Sequence, residues 1–191
     1  AELIQNRDFE YDPSDREGDE KWDGFHSWSL RGNGEAEFLI ATDATDAIHS
    51  NNMNYAILDV KQPGVFLVNT GFDGIALNAG DKFGRVPAGK SNKLLIRLVD
   101  AGGTVQGETS VTVSSRLWKT YKAVLTAKAS VDVHLEIQPQ SAGEVDLDMI
   151  SLFPQNTFKG RKNGLRADLA QILADMHPRF IRFPGGCVAH G

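Results

Sequence analysis

The chain lacks several features that would define a protein's class at once. Its single cysteine, Cys187, excludes an internal disulfide. It has no run of 18 apolar residues, which excludes a membrane-spanning helix. It has no excess of basic residues either: a net charge of −5 argues against the clustered Lys and Arg of a nucleic-acid-binding surface. We therefore expect neither nucleic acid nor a membrane among its partners.

What is present is an ordinary globular composition that is rich in turns. Hydrophobic residues make up 41% and charged residues 24% of the 191 residues. This length holds one good-sized domain with a tail, or two small domains. Most of the 19 glycines fall between short apolar runs, as they do in the turns of a β protein. The chain is therefore predicted to be mainly β.

Short β-like segments recur from residue 37 to residue 153. The clearest, Val131–Ile137, alternates apolar with polar residues, which is typical of a strand with one solvated face. The predicted strands are Glu37–Thr42, Tyr55–Val60, Val65–Asn69, Lys93–Val99, Glu108–Val113, Tyr121–Thr126, Val131–Ile137 and Asp146–Phe153. Their number and spacing predict a β-sandwich of the jelly-roll type.

The pattern changes at Pro154, after which a helix and a short strand are predicted. Asn163 is a good N-cap. Apolar residues then recur on one helical face, at Leu165, Leu169, Ile172, Leu173 and Met176. Pro178 ends the helix, and a strand at Phe180–Phe183 leads into a Gly-Gly turn. This order is that of one unit of an α/β barrel, so we expect the chain to be a piece of a larger enzyme.

A family resemblance rests on AELIQNRDFE, RVPAGKSNKLLIRLVD and LDMISLFPQNTFKGRKNGLRADLAQILADMHPRFIRFPGGCVAHG. These segments are similar to α-L-arabinofuranosidases of glycoside hydrolase family 51. The resemblance covers the whole chain and is most specific in the last 45 residues. It implies a (β/α)8 barrel interrupted by a jelly-roll insert similar to carbohydrate-binding module family 4. The implied domains are an N-terminal barrel stub at 1–7, the insert at 8–153, and the first helix and second strand of a truncated barrel at 154–191.

The resemblance also implies an activity for the parent enzyme. Family 51 enzymes remove terminal α-L-arabinofuranosyl groups from arabinan or arabinoxylan with retention, which uses two carboxyl groups about 5 Å apart. In the family both lie on later barrel strands, beyond Gly191, so this chain alone is expected to be inactive. Catalysis needs no cofactor. The implied partners are plant cell-wall polysaccharide and the rest of the catalytic barrel, and a periplasmic or secreted location is favoured over the cytoplasm.

The closing RFPGGC segment matches the edge of the family's active site, at the C-terminal end of a barrel strand. Arg182 matches the arginine that points toward the catalytic carboxylates, where a fixed cation keeps a carboxylate ionised. Gly185 and Gly186 let the backbone approach the sugar. Cys187 stands where many members carry a sugar-binding asparagine. The alternative is that Arg182 is an ordinary surface residue and Cys187 a small packing residue.

Binding modules of this type recognise glycans with aromatic side chains that stack on sugar rings. The predicted sugar-binding residues of the insert are Trp22, Phe25, Trp28 and Tyr55. Three of them lie in or beside residues 12–24, a polar segment predicted to be a long exposed loop. Trp118 is a further aromatic candidate, and the alternative for both Trp28 and Trp118 is a place in the hydrophobic core. Asn51, Asn52 and Asn54 either line a concave face together with Tyr55 or form a simple turn. An insert that binds no sugar would be a wall that packs beside the barrel and shapes the substrate cleft.

Two carboxylates are candidates for a structural metal site. Jelly-roll binding modules often hold one Ca2+ between their first and last strands through oxygen ligands. Glu10 and Asp148 match the positions that often supply those ligands, with a solvated strand end as the alternative.

The family pattern also has another alternating strand before the turn at Arg85–Pro87. Here Phe83 is followed directly by Gly84 and that turn. Either the strand is shortened or residues are absent at this point. We expect absent residues, because a sandwich without this strand would leave an edge exposed.

Overall fold

The computed structural model describes residues 2–72, 80–85, 90–129, 131–154, 156–162 and 164–180, with backbone alone at 80–85. The chain divides into two compact units. One consists of Glu2–Pro154, and the other of Gln155–Gly191 together with Ala1.

The first unit is built from two antiparallel five-stranded sheets. The first sheet has the order β1-β4-β9-β6-β7 and the second β2-β3-β10-β5-β8. The strands of the described residues are β1 Trp28–Gly32, β2 Glu35–Thr42, β3 Asn54–Gln62, β4 Val65–Asn69, β5 Gly80–Arg85, β6 Asn92–Asp100, β7 Val105–Val113, β8 Lys119–Ala123, β9 Val133–Pro139 and β10 Gly143–Asp148. The prediction of a mainly β chain is confirmed.

The hydrophobic core draws on the inner faces of both sheets. In β9 the alternation expected from the sequence is observed, since Val133, Leu135 and Ile137 are buried while the residues between them are half-buried. The second sheet contributes side chains with the same period of two, which are Ala56, Leu58, Val60, Val145 and Leu147. Each fully buried aliphatic side chain of this kind contributes roughly 1.5–3 kcal/mol of transfer free energy.

Two strands of the structure were not among those predicted. β1 begins at Trp28. β5, at Gly80–Arg85, pairs with β10 on one side and with β8 on the other. β10 therefore has a neighbouring strand on both sides within the described residues, and the expectation that residues are absent at this point stays a prediction. The last predicted strand also ends early, at Asp148, because Met149 has a φ of +48°, which is incompatible with an extended strand.

The two ends of the first unit lie side by side. The backbone N–H of Leu3 donates to the carbonyl of Leu152 at 3.0 Å. The Glu2 carboxylate accepts from the backbone N–H groups of Leu3, Ile4 and Leu152 at 3.0, 3.1 and 2.8 Å. Ile4 is part of the core. The chain therefore enters and leaves this unit at one place, which is the geometry of a domain that can be inserted into another.

Tyr121 fixes the connection between β7 and β8. Its ring packs against the core, and its hydroxyl oxygen accepts from the backbone N–H groups of Ser114 and Ser115, both at 3.2 Å. Tyr121→Phe keeps the ring and removes the acceptor, so we expect the free energy of unfolding to fall by about 1 kcal/mol in urea titrations. Tyr11→Phe is the control, because no hydrogen bond of that hydroxyl is found in the described part of the chain. Equal urea midpoints for the two variants would contradict this role for Tyr121.

The second unit contains a 3₁₀ turn at Phe158–Gly160 and one helix, α1, at Ala167–Asp175. The helix has Arg166 at its N-cap, later than the sequence predicted, and Asn163 lies outside the described residues. Its apolar positions are largely exposed, from Leu173 at 50% to Met176 at 71%. The strand predicted at Phe180–Phe183 lies outside the described residues except for Phe180. Within the described ranges, no helix is long and apolar enough to cross a membrane.

Candidate functional site

Three side chains of the N-terminal segment surround the indole of Trp22. Together with it they form what we call the Trp22 cluster: Tyr11, Arg16, Trp22 and His26. The Tyr11 ring stacks on Trp22 with 4.2 Å between centroids and 15° between planes. His26 lies 4.6 Å away, tilted by 49°. The guanidinium carbon of Arg16 lies 4.9 Å from the indole centroid. The polar loop predicted at residues 12–24 is indeed mostly exposed, but it packs one half-buried tryptophan.

Asn6 holds the segment that carries this cluster. Its side chain is almost fully buried, and its φ of +49° is a conformation that asparagine tolerates better than most residues. The amide nitrogen donates toward the carbonyls of Asp23, Gly24 and His26 at 3.1, 2.9 and 3.1 Å. The only signal of this role in the sequence is the preference of asparagine for turns.

Two of the four predicted sugar-binding aromatics are buried. Trp28 is 6% exposed and belongs to the core, where its indole N–H donates to the carbonyl of Asn6 at 2.8 Å. Tyr55 is 5% exposed and meets Trp118 edge to face at 5.3 Å and 75°. Neither ring has an exposed face on which a sugar could stack, so neither residue belongs to the candidate site. For Trp28 this is the core alternative that the sequence left open.

Phe25 is the most accessible of the four, at 42% exposed. Its ring and that of Phe38 form a T-shaped pair, with 5.2 Å between centroids and 86° between planes.

Trp118 does not lie in the core. Tyr121 points inward from β8. Because side chains alternate along a strand, Trp118, one residue before β8 begins, projects to the other face of the sheet. The ring is half-buried, and its N–H donates to the carbonyl of Asp46 at 2.6 Å. The core alternative for Trp118 is therefore wrong, and the residue instead fastens the β2–β3 connection to the outside of the second sheet.

The two predicted metal ligands come together at the end of the second sheet. The Glu10 carboxylate accepts from the backbone and side-chain N–H groups of Asn54 at 2.7 and 2.9 Å. The Asp148 carboxylate accepts from the side chain of Asn52 at 2.8 Å and from the backbone N–H of Met149 at 2.6 Å. Asn52 and Asn54, which the sequence left as a turn, thus connect the two carboxylates.

Burial raises the pKa of Asp148 to about 7, and the neighbouring charges of Asp8 and Glu10 act in the same direction. The hydrogen bonds from Met149 and Asn52 oppose this rise. In the described residues, no three His, Cys, Asp or Glu side chains converge in a way that could hold a metal ion. A cation at this place would therefore need carbonyl or amide oxygens beside the two carboxylates, a donor set that suits Ca2+.

Comparison with known proteins identifies several that are similar to this chain. Over its whole length it is 36% identical to an extracellular exo-α-L-arabinofuranosidase of Streptomyces chartreusis, of which it spans 22%. It superposes on the solved structure of an arabinose-bound family 51 α-L-arabinofuranosidase with a TM-score of 0.81 and 28% identity, over 97% of this chain and 31% of that one. The resemblance to family 51 α-L-arabinofuranosidases is confirmed.

The chain thus corresponds to less than a third of the length of these arabinofuranosidases. A solved structure of a family 4 carbohydrate-binding module aligns with 80% of this chain and 99% of its own, with a TM-score of 0.50 and 13% identity. At that identity the likeness concerns the β-sandwich fold alone. No protein-family model matches the chain.

The predicted residues at the edge of the arabinofuranosidase active site are Arg182, Gly185, Gly186 and Cys187, and all four lie outside the described residues. The candidate site in the structure therefore consists of the Trp22 cluster with Phe25, together with the acidic end of the second sheet at Glu10 and Asp148.

Proposed function

We propose that this chain is the carbohydrate-binding-module-like part of an α-L-arabinofuranosidase that releases terminal α-L-arabinofuranosyl groups from arabinan or arabinoxylan with retention. The observation that carries the proposal is the similarity to arabinofuranosidases over the whole chain. The jelly-roll insert is residues 8–153, between a stub at 1–7 and the start of a (β/α)8 barrel at 154–191. The adjacent ends of the first unit support an insert, and the extracellular relative supports secretion of the parent.

The parent's chemistry is proposed to lie outside this chain. Retaining hydrolysis needs a nucleophile and an acid/base carboxyl about 5 Å apart. We place both on later barrel strands, so the chain alone is inactive. The exposed apolar positions of α1 support a barrel helix, because a short helix of this kind gains its stability by packing such a face on neighbours. Arg182, Gly185, Gly186 and Cys187 would then line the substrate cleft.

Within the insert, we place glycan binding at Trp22 and Phe25. Phe25 offers an exposed ring, and the indole of Trp22 is held in a fixed orientation by Tyr11 and His26. Rigid aromatic surfaces of this kind bind the apolar faces of sugar rings with little loss of side-chain entropy.

Isothermal titration of the chain with arabinan, arabinoxylan and xylo-oligosaccharides tests this site. We expect saturable binding that Trp22→Ala weakens by at least about tenfold, as for a central aromatic contact. Phe72→Ala is the matched control, because Phe72 is an exposed ring outside the Trp22 cluster. Circular dichroism melts establish that each variant is folded. Equal affinities of Trp22→Ala and the wild type would remove Trp22 from the site.

A second candidate function is a wall beside the barrel that binds no sugar. The burial of Trp28 and Tyr55 favours it, because Phe25 is the one exposed ring among the four predicted aromatics and Trp22 is half-buried. The same titrations decide between the two, since a wall gives no heat of binding with any of the glycans.

We also propose that Glu10 and Asp148 hold a structural Ca2+. The two carboxylates lie near Asp8 and form a locally negative site. The raised pKa of Asp148 means that its negative charge is unfavourable there when no cation is bound. A bound divalent ion would offset that cost and tie the N-terminal segment to β10 and to the β2–β3 connection.

A further inference from the structure

The three neighbours of the Trp22 ring differ in how firmly they are held. His26 is fixed from both ring nitrogens, with Nδ1 2.8 Å from the carbonyl of Lys21 and Nε2 3.4 Å from the side-chain amide of Gln5. Tyr11 stacks nearly parallel on the indole over a large contact area. Both belong to the fixed framework of the Trp22 cluster.

Arg16 is the neighbour that is held most weakly. Its side chain is 60% exposed, and the ion pair it forms with Asp19 spans 3.9 Å. Exposed ion pairs of this kind contribute little, because solvent screens the charges and both side chains lose freedom on pairing. The guanidinium nevertheless lies over the indole, so it occupies surface on which a ligand would stack.

The charge around the cluster indicates which sugars fit. Residues 12–24 contain six acidic and two basic side chains, a net charge of −4. A glycan that carries carboxylates is repelled by such a surface, whereas an uncharged sugar ring is not.

We propose that Arg16 is a displaceable cover of the Trp22 ring, and that an uncharged sugar ring takes the place of its guanidinium. This inference rests on the proposed glycan binding at Trp22 and names Arg16 as a residue that sets its affinity. Binding then includes the loss of one exposed cation–π contact, which weakens affinity by about two- to fivefold.

The test uses the whole chain, with neutral xylo-oligosaccharides and arabino-oligosaccharides as probes. Arg16→Ala is expected to bind about two- to fivefold more tightly than the wild type, since the cover is gone. Arg16→Lys, which keeps a cation, is expected to stay near the wild type. Arg31→Ala removes an exposed arginine of β1 and is the matched control. Acrylamide quenching of tryptophan fluorescence gives a readout without ligand: it should rise in Arg16→Ala and not in Arg31→Ala.

The outcomes separate this inference from the function on which it rests. Tighter binding and stronger quenching in Arg16→Ala support the cover. Weaker binding in Arg16→Ala overturns it and makes Arg16 a ligand contact. Unchanged affinity in Arg16→Ala, with affinity lost in Trp22→Ala, overturns the cover and leaves glycan binding intact. If neither the wild type nor Arg16→Ala binds any probe, the proposed glycan binding fails, and the inference fails with it.

Discussion

Gly32→Ala is expected to lower the free energy of unfolding by about 4 kcal/mol or more, enough to unfold a marginal domain. A Cβ at this position would lie 2.1 Å from the carbonyl oxygen of Gly64 and 3.0 Å from the ring of Phe66. The first of these neighbours is backbone and cannot rotate away. Gly32 also has a φ of +110°, which L-residues with a side chain rarely adopt.

Gly143→Ala separates the two causes. Gly143 has a φ of +123°, but a Cβ there would meet nothing within 4 Å. This variant therefore carries the backbone strain alone, about 1–3 kcal/mol. Urea titrations of both variants measure the difference, which is the part due to close contact. If the two substitutions lower the unfolding free energy equally, the close approach at Gly32 does not limit the fold.

The reason for this sensitivity is that the chain crosses between the sheets here. The backbone N–H groups of Asn33 and Gly34 both donate to the carbonyl of Gly64, at 3.2 and 3.3 Å. A Cβ on Gly34 would lie 2.4 Å from the carbonyl oxygen of Gln62. The connection from β1 to β2 thus touches the turn from β3 to β4 backbone to backbone, and three glycines make that contact possible.

Strand periodicity explains how much of the fold could be predicted from the sequence. β9 shows the predicted alternation because one face is core and the other is solvated. β5 was not predicted, since Gly80–Arg85 contains two glycines and no apolar alternation, and it is stabilised by pairing on both sides. β5 forms because strands distant in sequence pair with it, and the β-propensity of its own residues does not indicate this.

The site was harder to predict for a related reason. The sequence shows that an aromatic residue lies in a polar segment, but it does not show whether the ring is exposed to solvent or packed against other side chains. Trp28 lies three residues after Phe25 and is core, because it starts β1 and faces Phe9 at 5.2 Å. Trp22 is held through Asn6, which is distant from it in sequence. Glu10 and Asp148 were paired by family resemblance, and the structure adds Asn52 and Asn54 as the residues that join them.

The pH dependence of stability should be controlled in part by Asp148. Its pKa rises from 3.8 to about 7 in the folded protein, chiefly through burial. Between these two pH values the folded protein holds a proton that the unfolded chain has lost. The stability that the protonated carboxyl contributes is therefore fully present below about pH 4 and is lost as the pH rises toward about 7.

Asp148→Asn removes this titration, because an amide fills the same space without a charge. At pH 8 with a calcium chelator, we expect the variant to exceed the wild type in unfolding free energy by on the order of 2–4 kcal/mol, the upper figure being the full pKa shift. At about pH 4 this advantage should be lost, because the wild-type carboxyl is then protonated in the folded state. The hydrogen bond that the amide nitrogen cannot accept should then leave the variant less stable by about 1 kcal/mol. Asp132→Asn, at an exposed carboxylate, is the control and should change stability by less than about 0.5 kcal/mol throughout.

Adding Ca2+ at pH 8 then tests the proposed metal site with the same two proteins. A cation held by Glu10 and Asp148 stabilises the wild type in proportion to the logarithm of its concentration, and does so much less in Asp148→Asn, which has lost one charged ligand. The advantage of the variant should therefore shrink as Ca2+ is added. Parallel melting curves for both proteins at every Ca2+ concentration would contradict the metal site. A stability difference between variant and wild type that stays constant from pH 4 to pH 8 in chelator would contradict the raised pKa.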